Sequence, residues 1–95
     1  MERYDELLRY IEGNKEKYVG WVCRLIEQPS VSAHRSGMVE CANVVAEMLE
    51  GLGMRVDVFE VGGAGPVVLG TLNVEAHATL MFYNHYDVQP PDPLE

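Results

Sequence analysis

The chain has 95 residues, a formal net charge of −8, and 47% hydrophobic against 23% charged residues. That is the composition of one small folded domain with a modest core, and it excludes a disordered chain. The acidic balance excludes binding driven by phosphate neutralisation, so neither nucleic acid nor an anionic membrane is an expected partner.

The N-terminus, "MERYDELLRY", is charged from its second residue and has no apolar signal-peptide core. No apolar run reaches membrane-spanning length, and a cytoplasmic protein is expected. Apolar residues recur at Tyr4, Leu7, Leu8 and Ile11, then at Tyr18, Val19, Val22, Leu25 and Ile26, which is the spacing of one helix face. Gly13 weakens a helix and Asn14 can cap a new one, so "EGNK" predicts a break or kink. Pro29 predicts a helix end near Glu27, because the residue before a proline avoids the α region.

A second helical stretch is predicted over 36–52, with Met38, Cys41, Val44, Val45, Met48, Leu49 and Leu52 as its stripe, Ser36 as N-cap, and Gly51 and Gly53 as its stop. The period then changes to two. "MRVDVFEV" (54–61) reads as a strand with one wet face, "GGAGP" as a turn and "VVLGTL" (67–72) as its antiparallel partner. After the loop "NVEAHA", the apolar run "TLMFYN" (79–84) reads as a third strand, covered on both faces. The expected class is therefore α/β: two N-terminal helices followed by three strands. Nothing in these residues covers the second face of the last strand, which suggests a piece of something larger.

Cys23 and Cys41 are expected to be reduced and buried, and they lack the CxxC spacing of a cysteine zinc site. "GGAG" has no following Lys-Ser/Thr and leads into a strand, so it is no phosphate loop. Ser30 and Ser32 lack a nucleophile elbow and read as helix-exit or turn residues. His34 and His77 read as solvated loop histidines. Met38, Met48, Met54 and Met81 read as core fillers.

His85 and Asp87 carry more chemistry. Two residues apart in extended backbone they point to one side, with Cα atoms about 6.5–7 Å apart. The carboxylate can accept from Nδ1–H, which fixes the neutral tautomer and turns the Nε2 lone pair outward. Zinc-ligating histidines are held this way. The Pro-rich exit after Gln89 makes the following loop stiff. His-x-Asp alone is a weak signal, since a strand-end histidine can bond a nearby aspartate with no metal present.

The longer string "NHYDVQPP" resembles the first zinc-binding motif of a metallopeptidase family. That family contains carnosinase-like dipeptidases, glutamate carboxypeptidases, acetylornithine deacetylases and succinyl-diaminopimelate desuccinylases. "LIEQPSVSA" (25–33), "VVAEMLEGLGMRVDVFEV" (44–61) and "VVLGTL" resemble its preceding elements in order, so the likeness runs from about Tyr18 onward. "HYDVQP" leans toward the dipeptidase or carboxypeptidase branch. Asn84 departs from it, standing where glycine or serine is more usual.

The resemblance implies that His85 ligates one zinc of a two-zinc site and that Asp87 acts in catalysis by orienting it. It implies amide hydrolysis in small peptides or N-acyl amino acids, with a mixed-sheet catalytic domain of which residues 1–95 are the N-terminal portion and no second domain is present. The family's bridging aspartate, its Glu-Glu pair, a further acidic ligand and a late histidine have no counterpart here. Nor does its lid-like dimerisation domain, so a homodimer stays open. One histidine is too few for a zinc site, so these 95 residues alone are expected to be inactive and to hold no zinc. The alternative is a non-catalytic small α/β binding or interaction module.

Overall fold

A computed structural model describes residues 2–31, 37–63 and 65–88. In chain order it contains α1 (Glu2–Gly13), α2 (Lys15–Glu27), α3 (Met38–Gly51), β1 (Arg55–Glu60) and β2 (Pro66–Thr71). The α/β class holds, with three helices where two were expected. The predicted interruption falls at Asn14 alone, between α1 and α2. Its N–H lies 3.1 Å from the carbonyls of Tyr10 and Ile11, and its Nδ2 donates to the Tyr10 carbonyl at 2.8 Å. Asn14 therefore closes the end of α1, and its side chain makes no cap bond to α2. The last carbonyls of α1 lack intrahelical partners, and the side-chain amide supplies a donor to one of them.

Pro29 stops α2 as predicted: Gln28 is extended (φ −83°, ψ 118°) and its N–H reaches the Arg24 carbonyl. The half-covered face of α2 is Tyr18, Trp21 and Leu25, while Val22 and Ile26 face outward. The N-cap of α3 is Gly37, in the left-handed region at φ 73°; the expected cap, Ser36, lies outside the described residues. At the other end, Gly53 (φ 88°) donates to the Glu50 carbonyl at 2.9 Å and Met54 to that of Leu49 at 3.2 Å. This paired closure with a left-handed glycine is a Schellman stop, and it aims the chain into β1.

The predicted hairpin forms. β1 and β2 are antiparallel, from Arg55 opposite Thr71 to Glu60 opposite Pro66, and α3 packs on the pair. Cross-strand partners share a face. Pro66, Val68 and Gly70, with Val56 opposite, form the α3 side, and Phe59, Val67 and Leu69 lie on the other side; Val58, on the α3 side by register, is at 48% as exposed as these three at 41–46%. The Leu49 and Met54 side chains converge over Gly70. Among the described residues the buried apolar side chains are Met38, Cys41, Ala42 and Ala46 of α3, with Pro66 at the start of β2.

The third strand is a correction. The sheet has two strands, and residues 79–84 join neither. A strand is held by its ladder, and no neighbour accepts this run, so Leu80, Met81, Phe82 and Tyr83 stand 78–85% exposed. The cover expected on both faces is not provided among the described residues. Accordingly the chain is drawn out: its Cα radius of gyration is 16.4 Å, against about 12 Å for a compact domain of this length. No helix among the described residues is long and apolar enough to cross a membrane.

Candidate metal-ligand site

The site begins where the exposed run ends. His85 Nδ1 lies 3.1 Å from Asp87 Oδ1 and 3.1 Å from the Asp87 carbonyl oxygen. Both neighbours are acceptors when Asp87 is ionised, so Nδ1 carries the proton and donates. Nε2 is then the lone-pair nitrogen. The His85 side chain is 77% exposed and that of Asp87 36%, which leaves Nε2 accessible. The geometry drawn from the spacing is thus present, although the backbone carrying it is not a ladder strand.

Tyr86, between them, points the other way, as alternation along extended backbone requires. Its hydroxyl donates to the carbonyl of Pro66, the first residue of β2. Its environment includes the Cys41 thiol on α3. Burial pushes the Tyr86 phenol up, with lesser contributions from Cys41 and Asp87. Burial also raises the Cys41 thiol, partly opposed by a hydrogen bond with the Ser30 side chain. Both groups are therefore protonated at neutral pH.

One residue further on, the Val88 N–H donates to the Ser30 carbonyl at 2.9 Å, in an isolated parallel bridge between Val31 and Val88. Ser30 is 3% exposed. It is a structural residue at the helix exit, as read from the sequence, while Ser32 lies outside the described residues. An open groove of about 1360 Å³ runs beside the pair, lined by Val22, Ile26, Met38, Pro66, Phe82 and His85 among others.

His77 sits in the exposed loop after β2, and His34 lies outside the described residues. Among the described residues, no three His, Cys, Asp or Glu side chains gather closely enough to hold a metal ion. His85 is thus suited by its tautomer to supply one ligand, and a complete site requires donors from elsewhere. Both cysteines are free thiols; Cys41 is buried as expected, but Cys23 is exposed, because it lies off the covered face of α2. Sequence reasoning missed the roles of Tyr86 and Pro66. Alternation alone would have turned Tyr86 inward, but its partner lies 20 residues back.

No family model matches the chain, and no solved structure matches it with significance. Among curated proteins, the chain is 32% identical over 99 aligned residues to the Cys-Gly metallodipeptidase of Schizosaccharomyces pombe, covering 90% of this chain and 21% of that protein. It is 37% identical over 76 residues to the succinyl-diaminopimelate desuccinylase of Anaplasma marginale, covering 77% of this chain and 19% of that protein. The chain spans about a fifth of the length of the curated relatives it matches.

Proposed function

The chain belongs to the metallopeptidase family of these two enzymes, and on that premise we propose that it forms the N-terminal part of a zinc-dependent hydrolase acting on amide bonds of small peptides or N-acyl amino acids. The observation that carries this reading is the Nδ1 geometry of His85, which faces two acceptors of Asp87 at 3.1 Å. A histidine so held presents Nε2 as a ligand in one fixed orientation. Asp87 is then an orienting group with no direct part in bond cleavage.

Zinc, when bound, supplies Lewis acidity toward the scissile carbonyl and makes hydroxide available near neutral pH. His85 contributes one donor, and three protein ligands are usual in a catalytic site. The remaining donors and the general base come, in this reading, from outside the described residues. The open groove beside His85 gives a substrate room to approach.

The test is made on the protein as its gene encodes it, by zinc analysis and by hydrolysis of dipeptides and N-succinyl amino acids. His85→Ala is expected to lose bound zinc and activity together. A His85→Ala protein that keeps both would overturn the ligand role of His85, and a wild-type protein with neither zinc nor hydrolysis would put a non-catalytic α/β module in place of the enzyme.

A further inference from the structure

We propose that Tyr86 is a positioning residue for His85, forming with the Ser30–Val88 tie a two-point clamp that fixes the His85–Asp87 pair on the fold. The need for a clamp comes from what precedes the pair. Among the described residues, 80–83 are the most exposed apolar run and pair with no strand. Among the described residues this run makes no ladder bond to the hairpin that would place His85. The ties to the hairpin and to the Ser30 segment are made at residues 86 and 88.

Each tie ends on a rigid partner. The Tyr86 hydroxyl bonds the Pro66 carbonyl, where β2 starts, opposite Glu60 in the ladder. The Val88 N–H bonds Ser30, whose buried hydroxyl contacts Cys41 in the packed face of α3. The Ser30 segment is itself seated closely, since Gly37 at the start of α3 lies against the Pro29 backbone. The two ties bracket Asp87, one residue to each side. Holding the backbone at 86 and 88 therefore fixes both acceptors that Asp87 offers to His85: its carboxylate and its carbonyl. Tyr86 touches neither the reacting centre nor the imidazole, and acts through the backbone it anchors.

The consequence for metal affinity rests on the zinc-ligand reading of His85; the geometric claim does not. Both are tested in the protein as its gene encodes it. In metal-free protein, ¹⁵N chemical shifts of the His85 imidazole report its tautomer. Wild type is expected to show the Nδ1–H form. Tyr86→Phe keeps the ring and deletes only the hydroxyl. It is expected to give a mixture of tautomers and about a tenfold weaker zinc affinity, the usual scale for loss of a ligand's outer support.

A Leu49→Ala variant, which removes packing between α3 and the hairpin over Gly70, away from the pair, is expected to leave the tautomer unchanged and so separates positioning from general loss of stability. An unchanged tautomer and unchanged zinc affinity in Tyr86→Phe overturn the clamp. Undiminished zinc binding in His85→Ala overturns the ligand reading instead. Should Tyr86→Phe fail to fold, Val88→Pro, which deletes the N–H of the second tie, is judged by the same two readouts.

Discussion

A β-carbon placed on Gly37 would lie 2.0 Å from the carbonyl oxygen of Pro29. The first residue before α3 is thus in direct backbone contact with the loop that leaves α2, and no side chain fits between them. Gly37 is also left-handed, at φ 73°. Gly37→Ala is expected to cost more than the roughly 1–2 kcal/mol of the left-handed conformation alone, because backbone must also move. Urea unfolding measures this, and a loss under 1 kcal/mol would show that the contact yields easily.

Gly53 provides the contrast. It is left-handed at φ 88°, but a β-carbon there meets nothing within 4 Å. Gly53→Ala is expected to cost only the conformational part, about 1 kcal/mol. Of the two alanine variants, Gly37→Ala should have the lower urea midpoint; the reverse order would contradict the packing around Pro29.

Asp87→Asn removes the charge behind His85 while keeping an oxygen acceptor. Zinc affinity is expected to fall about 10–100-fold, less than the complete loss expected for His85→Ala. Competition with a chelator of known affinity measures both. An Asn variant that binds zinc as tightly as wild type would mean that uncharged oxygen acceptors are enough to orient the ring.

The two thiols should behave differently toward a disulfide reagent at neutral pH. Cys23 is exposed, whereas Cys41 is 1% exposed and its pKa is raised by burial, so it offers little thiolate. One fast and one slow thiol are expected in stopped-flow labelling of these two positions. Cys23→Ser should remove the fast one; retention of it would place Cys41 within reach of solvent.

Tyr86 and Cys41 also set an alkaline limit. Both are raised in the fold above the ordinary 10.0 and 9.0, chiefly by burial. The folded state therefore favours their neutral forms. Their contribution to stability is fully present below the unfolded pKa values and is lost as pH rises through the folded ones. Urea midpoints should fall above about pH 9, and less steeply in a Tyr86→Phe, Cys41→Ala double variant. Equal slopes in the two proteins would assign the alkaline loss to other groups.

What could be read from the sequence was local. Helical spacing located α1, α2 and α3, the change to period two located the hairpin, and His85 found Asp87 because the pair is two residues apart. Pro29 and Gly53 marked helix ends through their own backbone preferences. The failures were non-local. The run 79–84 has the composition of a strand, but composition supplies no ladder partner. The covered face of α2 is shifted from the predicted stripe, and Val22 and Ile26 remain outside, because the neighbours available to a helix decide which face it buries. Tyr86 and Val88 were invisible as anchors, since Pro66 and Ser30 become their neighbours only after the chain has folded back.

That folding back implies an order of events during folding. The Ser30 tie closes a loop that contains α3 and the hairpin, and it cannot take its native geometry until they are in place. By loop length alone it costs only about 1 kcal/mol more than the Tyr86 tie. Its delay comes from the elements it waits for, not from entropy. The histidine proposed to meet the metal is therefore among the last residues to reach its position. A newly made chain would pass through a stage with helices and hairpin formed and the imidazole still adrift, and metal captured at that stage would be held by geometry other than the native one.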